Sequence, residues 1–198
     1  MTAREKILAD VRRNQPPLVA APDIAVWESK PKADALDVLE TFKIVAGNVG
    51  GKVISVGSLG EVKAHLNIIT GTRVLTTIPE FFDIANDAAS FAGATPHELE
   101  NVELAILQAS FGVAENSALW VTEKQMGTRV LPFICQHLAF VVNASDIVAN
   151  MHQAYLRTQG SDHSFASFIA GPSKTADIEQ SLVLGAHGPR SLVIFIVG

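Results

Sequence analysis

Apolar positions recur along this chain with two alternating periods. Val38, Phe42, Val45 and Val49 stand at helical spacing until Gly50 and Gly51 stop the run, so a helix from about Asp34 is expected to lead into Lys52–Val56, which reads as a buried strand. The cycle then repeats, with Leu59–Ile69 as a helix closed by Gly71 and Arg73–Thr77 as a second strand. Phe81–Gly93 is helically spaced again. Val102–Ser110 reads as a strand entering a turn at Phe111-Gly112-Val113-Ala114-Glu115, and Ala118–Thr122 returns as a strand compatible with antiparallel pairing. Phe140–Val142 is a short apolar strand, Ser145 is placed to cap a helix reaching Thr158, and Phe165–Ile169 is a further strand. Ala170–Thr175 then joins that strand to a helix through Leu184, and Gly185–Pro189 turns into the strand Leu192–Val197. This alternation predicts an α/β fold: a mostly parallel central sheet flanked by helices.

The beginning of the chain has another character. Thr2 followed by Glu5 fits a capping box, and Ile7, Leu8 and Val11 give the short helix an apolar edge suited to docking. Pro16, Pro17, Pro22 and Pro31 then deny the chain both helix and interior strand, with Trp27 placed either simply to pack within this arm or to anchor it to the body or to a partner. Residues 1–34 are therefore expected to form an N-terminal helix and Pro-rich arm, and residues 35–198 the body.

Composition narrows the function classes. The 198 residues are 48% hydrophobic and 18% charged, below the roughly 25% charge usual in such domains, which points to much buried surface and a sizeable interface. A net charge of −5 with a pI of about 5.6 disfavours nucleic-acid binding, which draws its affinity from clustered Lys and Arg. No apolar run approaches the ~20 residues of a membrane span, and residues 1–13 do not read as a signal peptide, so a cytoplasmic location is expected. The single Cys135 permits neither an internal disulfide nor a multi-thiolate cluster, and a buried inert thiol is its simplest reading.

Candidate chemistry gathers in a few segments. In Gly171-Pro172-Ser173-Lys174-Thr175, backbone N–H groups with Ser173, Lys174 and Thr175 can hold a phosphate or carboxylate at a helix start, or can simply cap that helix; the glycines of a P-loop are missing. Glu115, in Val113-Ala114-Glu115-Asn116-Ser117, sits at a strand-to-turn transition. It can act as general base or acyl-accepting nucleophile with Asn116 beside the developing charge, or can pin the turn by accepting backbone N–H bonds. Arg129 can pair with Glu115, with an anionic ligand, or in a surface salt bridge. His137 and His187 are the histidines best placed for acid/base work, the alternative being a hydrogen-bonded structural role. No metal-ligand spacing and no Gly-x-Gly-x-x-Gly after a strand occurs, so no metal, nicotinamide or flavin site is expected.

Two blocks carry a family resemblance. Gly171-Pro172-Ser173-Lys174-Thr175-Ala176-Asp177-Ile178-Glu179, followed by Leu182-Val183-Leu184-Gly185-Ala186-His187-Gly188-Pro189, is similar to the signature of the lactate utilization protein C family, whose domain is called the LUD domain. Gly112-Val113-Ala114-Glu115 with Arg129, Pro132 and His137 resembles that family's middle motif, although Asn116-Ser117-Ala118 replaces the usual Thr-Gly-Thr and Lys174 stands where Arg is usual. The resemblance extends over about residues 35–198, and it implies a NagB/RpiA/CoA-transferase-like fold and a role in oxidising L-lactate to pyruvate beside iron–sulfur and cysteine-rich partner proteins. With one cysteine, the chain is expected to be an accessory subunit that binds substrate, a small anion or its partners, with no cofactor of its own and the clusters on other chains. The wider fold group leaves an acyl- or phosphate-ligand enzyme using Glu115 open, as Ala114-Glu115-Asn116-Ser117 is similar to the nucleophile context of CoA transferases; a regulatory scaffold and a homodimer are also compatible.

Overall fold

A computed structural model describes residues 2–20, 35–66, 68, 71–159, 163–178, 181–185 and 187–198. The chain divides into two units, Met1–Lys30 and Pro31–Gly198. In the first, α1 (Ala3–Arg13) is closed by the expected capping box: the Thr2 amide donates to Glu5 Oε2 at 2.7 Å and the Glu5 amide to Thr2 Oγ1 at 3.2 Å. Ile7, Leu8 and Val11 form its exposed apolar edge. Pro22, Trp27 and Pro31 lie outside the described residues.

The second unit is built on a six-stranded parallel sheet in the order β1-β12-β7-β4-β2-β3. Its strands are β1 (Lys52–Val56), β2 (Arg73–Thr76), β3 (Asn86–Asp87), β4 (Val102–Gln108), β7 (His137–Asn143) and β12 (Ser191–Val197). Parallel strands need crossovers, which put other elements on both faces and force continuous apolar runs in the middle strands. Leu138–Val142 is accordingly buried throughout. On one face Phe42 and Ala46 of α2 (Ala35–Asn48) pack with Leu138, Phe140 and Ile194; on the other Val62 of α3 (Leu59–His65) packs with Ile106, Val141 and Phe195. Gly50, at φ 91°, and Gly51, whose amide donates to Ala46 O at 2.9 Å, end α2 as its sequence demands.

A smaller mixed sheet, β8-β5-β6-β9, comprises β5 (Phe111–Val113), β6 (Leu119–Thr122), β8 (Ile147–Val148) and β9 (Ala166–Ile169). Among the described residues the unit also has three short helices, α4 (Glu123–Met126), α5 (Leu131–Ile134) and α6 (Met151–Thr158). Among the described residues, no helix is long and apolar enough to cross a membrane.

Several expected elements are corrected. The expected helix over Phe81–Gly93 is instead a pair of 3-10 turns, Pro79–Phe81 and Ala88–Phe91, around the two-residue strand β3. Asp87 starts the second turn by accepting from the Ala89 amide at 2.9 Å. Phe111–Val113 is a strand, not a turn. Ser145 caps no long helix, because Ile147 and Val148 pair with β5; α6 starts only at Met151, with Asn150 Oδ1 accepting from the Gln153 amide at 3.0 Å. The expected helix α3 stops at His65, where Leu66 turns extended. The largest correction concerns residues after Ser173. Among the described residues no helix follows; β10 (Lys174–Ile178) and β11 (Ser181–Leu184) form an antiparallel hairpin, with Thr175 opposite Val183. β-branched Thr175, Ile178 and Val183 suit a strand better than their helical spacing suggests.

Gly112 is where the small sheet meets α2. A Cβ there would lie 2.7 Å from Ile147 Cδ1 and 2.9 Å from Phe42 Cε2. Gly112→Ala is expected to destabilise by about 1–3 kcal/mol, lowering Tm by roughly 2–4 °C per kcal/mol in a thermal melt followed by circular dichroism.

Candidate functional site

The strand order creates one place where neighbouring crossovers diverge. From β2 the chain passes outward to β3, whereas from adjacent β4 it proceeds toward β7 and β12. Ligands of open parallel sheets bind outside the carboxyl ends of strands at such a switch point. Here it holds a polar cleft of about 390 Å³ lined by Thr77, Gln108, Ser110, Thr122, Lys124 and Gln125. Buried Thr76 fixes the end of β2, donating from Oγ1 to Ile106 O at 2.7 Å and accepting from the Ile78 amide at 3.1 Å.

Gln125 organises the cleft. Its Oε1 accepts from Ser110 Oγ at 2.9 Å, from the Thr122 amide at 2.9 Å and from Thr122 Oγ1 at 3.0 Å; its backbone oxygen accepts from Thr77 Oγ1 at 2.7 Å. With the side-chain oxygen so engaged, the amide NH₂ is the end left to donate. Lys124 has no ion-pair partner among the described residues, and Gln108 supplies a second exposed amide. The neighbouring Glu123 carboxylate is occupied: Arg129 donates to it from Nε at 2.7 Å and Nη2 at 3.1 Å, and Ser164 Oγ at 2.6 Å. These bonds from Arg129 and then Ser164 hold the Glu123 carboxyl below its ordinary range, and Glu123 holds the Arg129 guanidinium above its own. The cleft therefore offers one cation and several neutral donors, a set matched to a small carboxylate. Sequence reasoning missed Gln108, Lys124 and Gln125. The available signal was the capping-box spacing of Thr122 and Gln125.

The residues expected from sequence are distributed over separate places. Arg129 pairs with Glu123 and stacks its guanidinium 5.4 Å from the Phe165 ring centre. Glu115 Oε2 accepts from the Met151 amide at 2.8 Å, at the start of α6, while its own amide donates to Ala149 O at 3.1 Å. Asn116 Oδ1 accepts from the Ala118 amide at 3.0 Å, holding a tight turn in which Ser117 takes φ 57°. That left-handed geometry is one that glycine adopts without strain. Ser117 is fully buried, and its hydroxyl has no hydrogen-bond partner among the described residues.

Gly171, Ser173 and His187 do converge, on a cavity of about 260 Å³ whose walls include Phe133 and Phe168. Gly171, at φ 70°, approaches the residue that follows α2 so closely that a Cβ would lie 2.9 Å from Val49 O. Lys174 does not line this cavity; its Nζ lies beside Gly50, at the carboxyl end of α2. The Thr175 side chain and Glu179 lie outside what is described. The loop stands before a strand, so its amides are not those of a helix start. His137 belongs elsewhere again: Nδ1 is 2.7 Å from Ser191 Oγ and Nε2 is 3.7 Å from Glu103 Oε1, beside a cavity of about 330 Å³. Cys135 is buried, and burial pushes its thiol up to about 12. Among the described residues no group of His, Cys, Asp and Glu is arranged to hold a metal ion.

Comparison with known proteins bears on this geometry. The family model of the LUD domain matches residues 85–197. Lactate utilization protein C of Shouchella clausii (strain KSM-K16) is 31% identical over 107 residues, covering 50% of this chain and 47% of that protein. The protein of the same name from Bacillus pumilus (strain SAFR-032) is 31% identical over 110 residues, covering 50% and 46%. The matched segment thus spans about half the length of these curated relatives. In fold, the chain is similar to a crystal structure of a DUF162 family protein from Deinococcus radiodurans, with TM-score 0.67 and 18% identity over 84% of this chain and 99% of that one.

Two outcomes follow from the geometry. Ser117→Gly relieves the left-handed strain and the buried hydroxyl, and is expected to stabilise by about 1 kcal/mol, raising Tm by roughly 2–4 °C. For Cys135 the folded value of about 12 lies above the ordinary 9.0, so the folded state holds this proton more tightly. Its contribution to stability is intact below pH 9.0 and is lost as pH rises toward 12. A thiol-reactive reagent at pH 8 is expected to leave native Cys135 unmodified and to label it once the protein is unfolded.

Proposed function

Because the chain belongs to the LUD domain family, we propose that it is an accessory subunit of an L-lactate utilization system, binding a small 2-hydroxy carboxylate while iron–sulfur and cysteine-rich partner proteins carry the electrons. The observation that carries the binding part of this reading is the switch-point cleft, where Lys124, without an ion-pair partner among the described residues, stands beside the oriented amide of Gln125. Lys124 neutralises the ligand carboxylate, the Gln125 NH₂ donates to one of its oxygens, and Gln108, Ser110 and Thr77 are at hand for the 2-hydroxyl. Conversion of lactate to pyruvate removes two electrons and two protons. The only cysteine is buried and strongly disposed to stay protonated, which supports assigning the electrons to other chains. The reading also takes the sheet as NagB/RpiA/CoA-transferase-like and the protein as cytoplasmic, in keeping with the sequence resemblance and a lone thiol.

Calorimetric titration with L-lactate, alone and with the partner proteins, tests the proposal. Saturable binding is expected, about tenfold or more weaker in Lys124→Ala and unchanged in Lys174→Ala, whose amine lies beside α2. Lactate oxidation by the reconstituted partners should depend on this chain and should fall in the same Lys124 variant. Absence of binding in both settings, or full affinity in Lys124→Ala, overturns the reading.

A further inference from the structure

The opposite end of the sheet holds a cavity of different chemistry, which owes nothing to the reading above. Five successive parallel strands give apolar residues to its lining, among them Ile54 of β1, Val193 of β12, Ala139 of β7, Leu104 of β4 and Val74 of β2. A doubly wound sheet ordinarily has both faces covered. Here α3 covers the carboxyl half of this face through Val62, whereas over the amino half Ile54, Leu104 and Val193 remain only partly buried. The void between is about 330 Å³, with Leu66 and the His65 ring at its side; that ring lies 6.4 Å from the Phe195 ring.

Apart from His65 and Thr72, the polar lining residues form a row along one edge. Lys52, Ser191 and His137 are the first residues of the adjacent strands β1, β12 and β7, and Glu103 is the second residue of β4. Within this row, His137 is engaged on both sides, by Ser191 at 2.7 Å and by Glu103 at 3.7 Å. Lys52 has no ion-pair partner among the described residues, and its amine is the cation of the row still available. The row spans three strand spacings, ~14 Å at ~4.8 Å each. The volume falls at the small end of ligand pockets, which begin at roughly 300 Å³.

We infer that this cavity binds an aliphatic monocarboxylate of about eight to ten carbons, its chain along the floor of the five strands and its carboxylate at Lys52. The chemistry follows from the division of the walls. A wholly polar ligand would leave the floor of Ile54, Val193, Ala139, Leu104 and Val74 in contact with water, and an uncharged hydrocarbon would leave Lys52 without a counter-charge. The same division separates the site from the switch-point cleft, whose lining residues, from Thr77 to Gln125, all carry polar side chains.

The test is a chain-length series. Hexanoate, octanoate and decanoate, each below its micelle concentration, are titrated calorimetrically into the full chain. Affinity is expected to rise about threefold to fourfold per added methylene up to the length of the floor. Lys52→Glu should weaken octanoate about tenfold, Ile54→Phe should shift the optimum to shorter chains, and Lys124→Ala should change nothing. A flat series, or octanoate affinity unaffected by both Lys52→Glu and Ile54→Phe, overturns the inference. Loss of octanoate binding in Lys124→Ala overturns it too, by moving the ligand to the other cleft. Failure of lactate to bind would leave this series untouched, so the two readings fall separately.

Discussion

The parallel pairing of β12, β7 and β4 is the constraint from which the remaining structure follows. These strands are hydrogen-bonded on both sides and largely buried, so their peptide groups are satisfied by one another and by the flanking β1 and β2. Parallel direction then obliges every connection to cross from one end of the sheet to the other, and all loops accumulate at the two ends. Both clefts arise there. The polar one occupies the carboxyl ends, where the connections of β2 and β4 part company; the apolar one occupies the amino ends, where α3 stops at His65 and Leu66 and Ile68 line the cavity.

A single side chain shows how such an end is made specific. Gln125 gathers donors from the end of β6 and from the β4–β5 connection on its side-chain oxygen, and receives Thr77 from the end of β2 on its backbone oxygen. Three connections are thereby held in one arrangement without any charge being buried. The neighbouring charges are settled in a similar way, with Glu123 consumed by Arg129 and Ser164, so that Lys124 is the charge left over. Glu115 performs a related task on the small sheet, where its carboxylate meets the free amide at the beginning of α6 and complements the positive end of that helix.

Periodicity made α2, β1, β2, β4, β7, β9 and β12 legible because each of these elements is buried on a face whose spacing matches its own period. It failed where neighbours override spacing. Ile147 and Val148 are spaced for the helix that follows them, yet Gly112 and Val113 recruit both into a ladder. Thr175 and Ile178 likewise find partners across a hairpin, where helical spacing between Thr175 and Leu184 is misleading. Of the functional candidates, His137, Gly171, Ser173 and His187 could be found because glycine-rich turns and strand starts expose them, and each does line a cavity. Arg129 was legible as a charge but not as a partner of Glu123, since both lie on one short segment that gives no cue to geometry. The switch-point cleft could not be read at all: it depends on Thr77 reaching Gln125 across 48 positions, a pairing set by strand order.

The two-residue β3 has a consequence for assembly. At that margin the sheet presents only Asn86 and Asp87, both exposed, and the Asp87 carboxylate immediately bends the chain into a 3-10 turn. An incoming strand would gain too few rungs there to offset the cost of alignment, so polymerisation through this margin is suppressed. The opposite margin is a strand of five residues, β1, which among the described strands pairs only with β12. Should two copies ever join their sheets into one continuous surface, β1 is the side by which they must meet, and Lys52 of each would then stand at the seam.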